Sequence, residues 1–225
     1  MKSLTRQRGV GLVEVLVAVL LLSVAVLGFS ALQLRAVGAT DESLVRTKSL
    51  TVVRNLAEVM RAYPEAYVTG SGTAFNSAKP GDKDAVPTIQ AVVSSTATNT
   101  VSIDGKMINI VTTGGSTNCL STAIDTDENG KKTPKQSCTI NQLAARDALM
   151  IKKTATDESL EVTVVTCPGT TVQAIQQQMC IITAWNDTEA VLDDNDDETD
   201  ENTKACANAN GVYKSGSNCL ISEAY

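Results

Sequence analysis

The 225-residue chain contains no histidine. That removes Ser-His-Asp and Cys-His catalysis and the commonest zinc ligand. Aromatic residues make up only 3% of the chain, so any globular core must rest on Val, Ile, Leu and Ala. No proline occurs before Pro64, and no cysteine before Cys119. None of the six cysteines forms a CxxC pair, so the zinc-ribbon and thioredoxin spacings are missing. Neither a glycine-rich phosphate loop nor a nucleophile elbow is present. Basic residues are also scarce where they would matter. Three of them (Lys2, Arg6, Arg8) lie in the first nine residues, and the remainder carries 16 basic against 25 acidic side chains, a net of −9. Phosphate backbones need clustered Lys and Arg, so direct nucleic-acid binding is excluded. These absences point away from an enzyme and towards a protein that works by binding and assembly.

The residues present are unevenly distributed. From Val10 to Leu34 the only strongly polar side chains are Glu14 and Gln33, with Ser23 and Ser30 mildly polar. Such a run is long enough to cross a hydrocarbon layer as a helix, which takes about 20 residues. The basic residues before it would keep the N-terminus in the cytoplasm. An ordinary secretory signal has a shorter apolar region, about 7–15 residues. Beyond Leu34, Val45, Val52, Leu56, Val59, Met60 and Tyr63 recur at helical steps, with Arg46, Lys48, Arg54, Asn55, Glu58 and Arg61 between them. One helix from Val10 to Ala62 is therefore expected, apolar all round at first and amphipathic later. Gly28 and Gly38 are its weak points.

Glu14 is the anomaly. A carboxylate in an apolar membrane segment is costly and marks a functional site by default. The competing reading is a residue that merely reaches the headgroups. The surrounding pattern narrows the choice: a short basic leader, Gly9, then V-G-L-V-E, then the apolar run. This resembles the N-terminal signal of type IV pilins and pseudopilins. The resemblance covers residues 1 to about 62. It implies a leader of residues 1–9, cut after Gly9 by a prepilin peptidase, and methylation of the new amine at Val10. The family most often has phenylalanine there. It also implies that Glu14, the fifth mature residue, neutralises the N-terminal ammonium of a neighbouring subunit and so sets the axial register of a filament. A carboxylate whose partner is missing is expensive in such a setting, which is what makes the pair selective.

The resemblance implies a pilin-like α+β fold: a long N-terminal helix over 10–62, transmembrane at about 12–34, packed on an antiparallel β-sheet head over 63–225. Residues 64–100 are rich in Gly, Ser, Thr, Ala and Pro and read as a long loop with one strand at Ile89–Ser94. Thr100 to Val111 reads as a hairpin turning at Asp104-Gly105. Ser137 to Lys153 reads as a helix opened by a capping box, Thr139 with Gln142. Leu160–Cys167 and Met179–Asn186 alternate as strands, and Tyr213–Ile221 returns as a last strand. The segment with Cys138, Ala144 and Asp147, followed by strands ending at Trp185, is similar to PilV-type minor pilins. Asp147 as a solvated helix residue and Trp185 as core are the competing reading.

Cys119, Cys138, Cys167, Cys180, Cys206 and Cys219 make an even set behind an export-type segment, which reads as disulfides. Six cysteines allow 15 connectivities; nearest-neighbour pairing would close three short loops. Two acidic stretches invite calcium. Asp125, Asp127, Asn129 and Gly130 fall at positions one, three, five and six of an EF-hand loop, but Gln136 stands where the bidentate Glu belongs. Residues 193–201 hold seven Asp or Glu in nine positions, and a solvated, self-repelling loop or a partner-binding face is the alternative. No other cofactor is indicated.

The functional expectation is a minor type IV pilin in pilus initiation or assembly at the tip, supporting adhesion, twitching or DNA uptake. Its implied partners are prepilin peptidase, other minor pilins, the major pilin and a tip adhesin. Its implied place is the inner membrane of a Gram-negative bacterium, with a periplasmic head, and then the pilus surface. A pseudopilin of a type II secretion system is the alternative.

Overall fold

A computed structural model describes residues 11–111, 119, 124–134, 137–168, 178–193 and 204–224. The chain divides into two compact units, Met1–Val45 and Arg46–Tyr225. Helix α1, Leu12–Ala62, contributes to both and runs through Gly28 and Gly38 without a break. In the first unit α1 starts on the carbonyl of Gly11, which accepts from the amides of Glu14 (2.9 Å) and Val15 (3.3 Å). The large apolar side chains from Leu12 to Val37 are 50–80% exposed. The hydroxyls between them bond back into the helix: Ser23 to the carbonyl of Val19, Ser30 to that of Val26, and Thr40 to that of Ala36, at 2.8–2.9 Å. A helix that satisfies its own polar groups in this way is suited to lipid.

In the second unit α1 buries Ser49, Val52, Val53, Leu56, Ala57 and Met60, a stripe at steps of three and one. The segment after α1 forms a hairpin where a loop is expected from composition. Strands β1 (Tyr67–Ser71) and β2 (Ala74–Ala78) pair antiparallel across a two-residue turn opened by Gly72, whose φ is +69°. Glycine first in a two-residue turn supplies the twist that strands need. At Gly70 (φ +131°) a Cβ would lie 2.4 Å from the carbonyl oxygen of Ala74, so only glycine fits.

A short strand, β3 (Val86–Pro87), leads into α2 (Thr88–Val93). The expected strand at Ile89–Ser94 is therefore a helix. Thr88, Ile89, Val92 and Val93 are its buried residues, which is helical rather than alternating spacing. Strands β4 (Thr100–Ile103) and β5 (Lys106–Asn109) form the expected hairpin. Asp104 and Gly105 sit at φ +55° and +74°, as a turn with two left-handed central residues requires. The five-stranded sheet runs β3-β1-β2-β4-β5, and β2 and β4 pair parallel, which their long connection through β3 and α2 permits.

Among the described residues, strands β6 (Ile124–Thr126) and β7 (Lys132–Pro134) pair only with each other. Helix α3 (Ile140–Asp157) begins at Thr139 with both halves of the capping box made, and runs four residues past the expected end. Strands β8 (Glu161–Thr166) and β9 (Met179–Ala184) are antiparallel as expected. Strand β10 (Glu189–Asp193) pairs in parallel with β11 (Ala205–Asn208). The last strand, β12 (Cys219–Glu223), pairs antiparallel with β9, making the order β12-β9-β8. It starts later than expected, and Tyr213 makes only an isolated bridge to Ala207. The fold is α+β, with most strand pairings antiparallel. Its core is aliphatic, as the shortage of aromatics requires: Leu56, Ile103, Ile108, Leu149, Ile181 and Ile182 are fully buried.

Candidate assembly site

Glu14 is exposed in the first turn of α1. Its position has a local electrostatic logic, since a carboxylate is favoured at the positive end of a helix. Its neighbours on the helix surface, three and four residues away, are Gly11, Val17 and Ala18. A carboxylate presented by such a surface can accept an ammonium or amide from another chain. Gly9 and Val10 lie outside the described residues.

Within the second unit, side-chain bonds tie α1 to the head. At Ser49 a buried hydroxyl bonds the hydroxyl of Thr183 on β9. The ammonium of Lys48 pairs with Glu158 at the end of α3. Near the end of α1, Arg61 donates to the carbonyl of Ala224 (3.2 Å). Just beyond it, the Tyr63 hydroxyl donates to the carboxylate of Asp147 on α3 (2.8 Å), which also pairs with Arg146. Sequence reasoning passes over Ser49 because it is polar, although Val45, Ser49, Val52 and Leu56 share one helical face.

The cysteines form three disulfides, Cys119–Cys138, Cys167–Cys180 and Cys206–Cys219. The second links β8 to β9 across their loop, and the third links β11 to β12. Ala144 is fully buried and Trp185 is 4% exposed. Asp147 is engaged with Tyr63 and Arg146 rather than simply solvated.

Asp125, Asp127 and Asn129 fall on the β6–β7 hairpin, without flanking helices. Asp127 Oδ1 accepts from the amides of Asn129 (3.0 Å) and Lys131 (2.8 Å), so this carboxylate shapes the turn. Among the described residues no three His, Cys, Asp or Glu side chains group closely enough to hold a metal. Of the second acidic stretch, Asp193 ends β10 and pairs with Lys214 (2.9 Å); residues 194–201 lie outside the described residues, as does Gln136.

A family model for the prokaryotic N-terminal methylation motif matches residues 4–30, spanning Gly9, Val10 and Glu14. A second, described as type IV pilin Tt1218, matches residues 31–81, from within α1 through β2. Over residues 4–81 the chain is that of a type IV pilin. No curated protein and no solved structure matches it. Both family matches end before α2, so the rest of the pilin head stands on its own geometry. As a pilin carrying the methylation motif, it is a membrane-anchored substrate of prepilin peptidase that assembles with other pilins. The family's role is structural.

The contact of Tyr63 with α3 should make part of the head's stability sensitive to high pH. Burial, then the hydrogen bond to Asp147 and the charge of that carboxylate, raise the Tyr63 phenol above its usual value near 10. A raised folded-state value means the unfolded chain gives up this proton more readily. The contribution to stability is thus full below about pH 10 and is lost as pH rises through the folded value. Tyr63→Phe keeps the ring and removes the titration. The fall in urea midpoint between about pH 9 and 11 should become shallower in this variant. An unchanged slope would show that Tyr63 does not carry this sensitivity.

Proposed function

We propose that this pilin is a minor subunit of the PilV type, acting in filament initiation or assembly close to the tip and so supporting adhesion, twitching or DNA uptake. Its place would be the inner membrane of a Gram-negative bacterium and later the pilus. The observation that carries this reading is the pairing of a filament-type helix with a large head closed by three disulfides. Such a head is built to present a specific surface rather than to repeat along a thin fibre. The residues similar to PilV-type pilins support it: Cys138 closes a disulfide before α3, Ala144 seats α3, and Asp147 joins α3 to Tyr63. In this reading Val10 becomes the methylated N-terminus and Glu14 its partner on the neighbouring subunit. Other minor pilins, the major pilin and a tip adhesin are the partners it calls for.

Mechanical shearing of whole cells tests it. A minor pilin should appear in the sheared filaments at far below the abundance of the major subunit. Confinement to the cell envelope would contradict the reading and favour a pseudopilin of a type II secretion system.

A further inference from the structure

The three disulfides stand in different surroundings. Cys167 and Cys180 are 5% and 3% exposed, and Cys180 lies within β9. Cys206 is fully buried in β11, and Cys219 opens β12. Each of these bonds thus has at least one sulfur buried within a sheet, although Cys219 itself is half-buried at the sheet edge. Cys119 and Cys138 are both half-buried, and neither lies in a strand or helix. Cys138 directly precedes the N-cap Thr139 of α3. The ammonium of Lys106, at the start of β5, lies 3.8 Å from Cys138 Sγ and donates to the carbonyl of Ser137 (3.2 Å). A thiolate that forms at Cys138 therefore meets a cation at once, and thiolates are stabilised beside lysine and at helix N-termini.

The geometry points to Cys119–Cys138 as a thiol-exchange site whose substrate is an external dithiol, with Cys138 as the leaving group. One thiolate of the dithiol attacks Cys119 Sγ. The Cys119–Cys138 bond breaks and its electron pair leaves on Cys138 Sγ, held by Lys106. The second thiolate of the dithiol then attacks the mixed disulfide and releases Cys119. The dithiol ends as a disulfide, both protein sulfurs end as thiols, and the two protons come from the dithiol. Exchange is faster when the leaving sulfur is the better-stabilised thiolate. The loop this bond closes carries β6 and β7, which among the described residues pair only with each other; the β6 side chains are exposed. Reduction would open this loop and leave the two larger sheets and the other two disulfides in place. The site is thus a place where the head surface can be altered without unfolding the head.

The test uses the full chain in detergent, treated with dithiothreitol for increasing times, alkylated, and mapped by peptide mass spectrometry. Cys119 and Cys138 should become labelled about tenfold or more faster than the other four cysteines. Trp185 fluorescence should be unchanged over that first phase. Lys106→Met should slow the first phase by roughly 3- to 10-fold, and Lys106→Arg should restore it. A Cys119→Ser/Cys138→Ser chain should keep the fluorescence of the native head and lose the fast phase. Simultaneous labelling of all six cysteines, or another pair reacting first, would overturn the proposal. A fast phase indifferent to Lys106→Met would overturn the leaving-group assignment.

Discussion

Glu14→Ala should yield a pilin that is cleaved and methylated normally but is lost from filaments. Alanine is the best helix former, so α1 persists, less about 0.3–1 kcal/mol from the missing charge at its first turn. The larger effect falls on the subunit interface. In the proposed reading, cleavage after Gly9 would leave an ammonium at Val10, and assembly would carry it into an apolar bundle. Removing one member of a buried pair costs about 3–5 kcal/mol, because the other charge stays desolvated and unpaired. At 1.4 kcal/mol per tenfold, incorporation should fall by roughly two to four orders of magnitude. Quantifying the chain in sheared filaments against membranes reads this directly. Glu14→Gln separates charge from shape and should fail almost as badly. Normal incorporation of either variant would remove the register role of Glu14.

The second large effect belongs to Leu56→Ala. Leu56 is fully buried in the middle of the α1 stripe that runs from Ser49 to Met60. Truncating a core leucine removes its transfer free energy and leaves a cavity, at a cost of about 2–5 kcal/mol. For a domain of this size each kcal/mol lowers Tm by roughly 2–4 °C, so a fall of roughly 5–20 °C is expected. The same substitution at Leu20, 56% exposed on the same helix, should leave head melting unchanged. Thermal melts of the full chain in detergent, with disulfides intact, distinguish the two. Equal melting of wild type and Leu56→Ala would mean that α1 does not anchor the head through this stripe.

What can be read from the sequence is what is local and strongly periodic. Helix α1 follows from an unbroken apolar run and then a stripe, and α3 follows from its capping box. The β4–β5 hairpin follows from Asp104-Gly105, a dipeptide suited to a turn with two left-handed central residues, set between two β-rich runs. Asp104 also does something sequence spacing could not reveal: its carboxylate accepts from the amide (2.7 Å) and hydroxyl (2.6 Å) of Ser77 and so pins β2 beside β4. The errors cluster where local signals conflict with burial. Residues 88–93 carry β-branched side chains that suggest a strand, yet packing on α3 and β8 makes them helical. The β1–β2 hairpin hides in a Gly- and Ser-rich stretch because its pattern of burial rests chiefly on Val68 and Phe75. The parallel pairs β2–β4 and β10–β11 join distant segments and leave no local trace. The same holds for the candidate sites. Glu14 stands out because it breaks an apolar run. Ser49 against Thr183, Tyr63 against Asp147, and Lys106 against Cys138 become visible only when separate elements are brought together.

The account rests on maturation of the N-terminus, because the role of Glu14 requires an ammonium at Val10. N-terminal mass spectrometry of the protein from native membranes and from sheared filaments tests it most directly. The account predicts a chain beginning at methylated Val10 in both fractions. A chain retaining Met1, or one cut near Ala31 or Ala39, would contradict it, and the ion-pair role of Glu14 would fall with it.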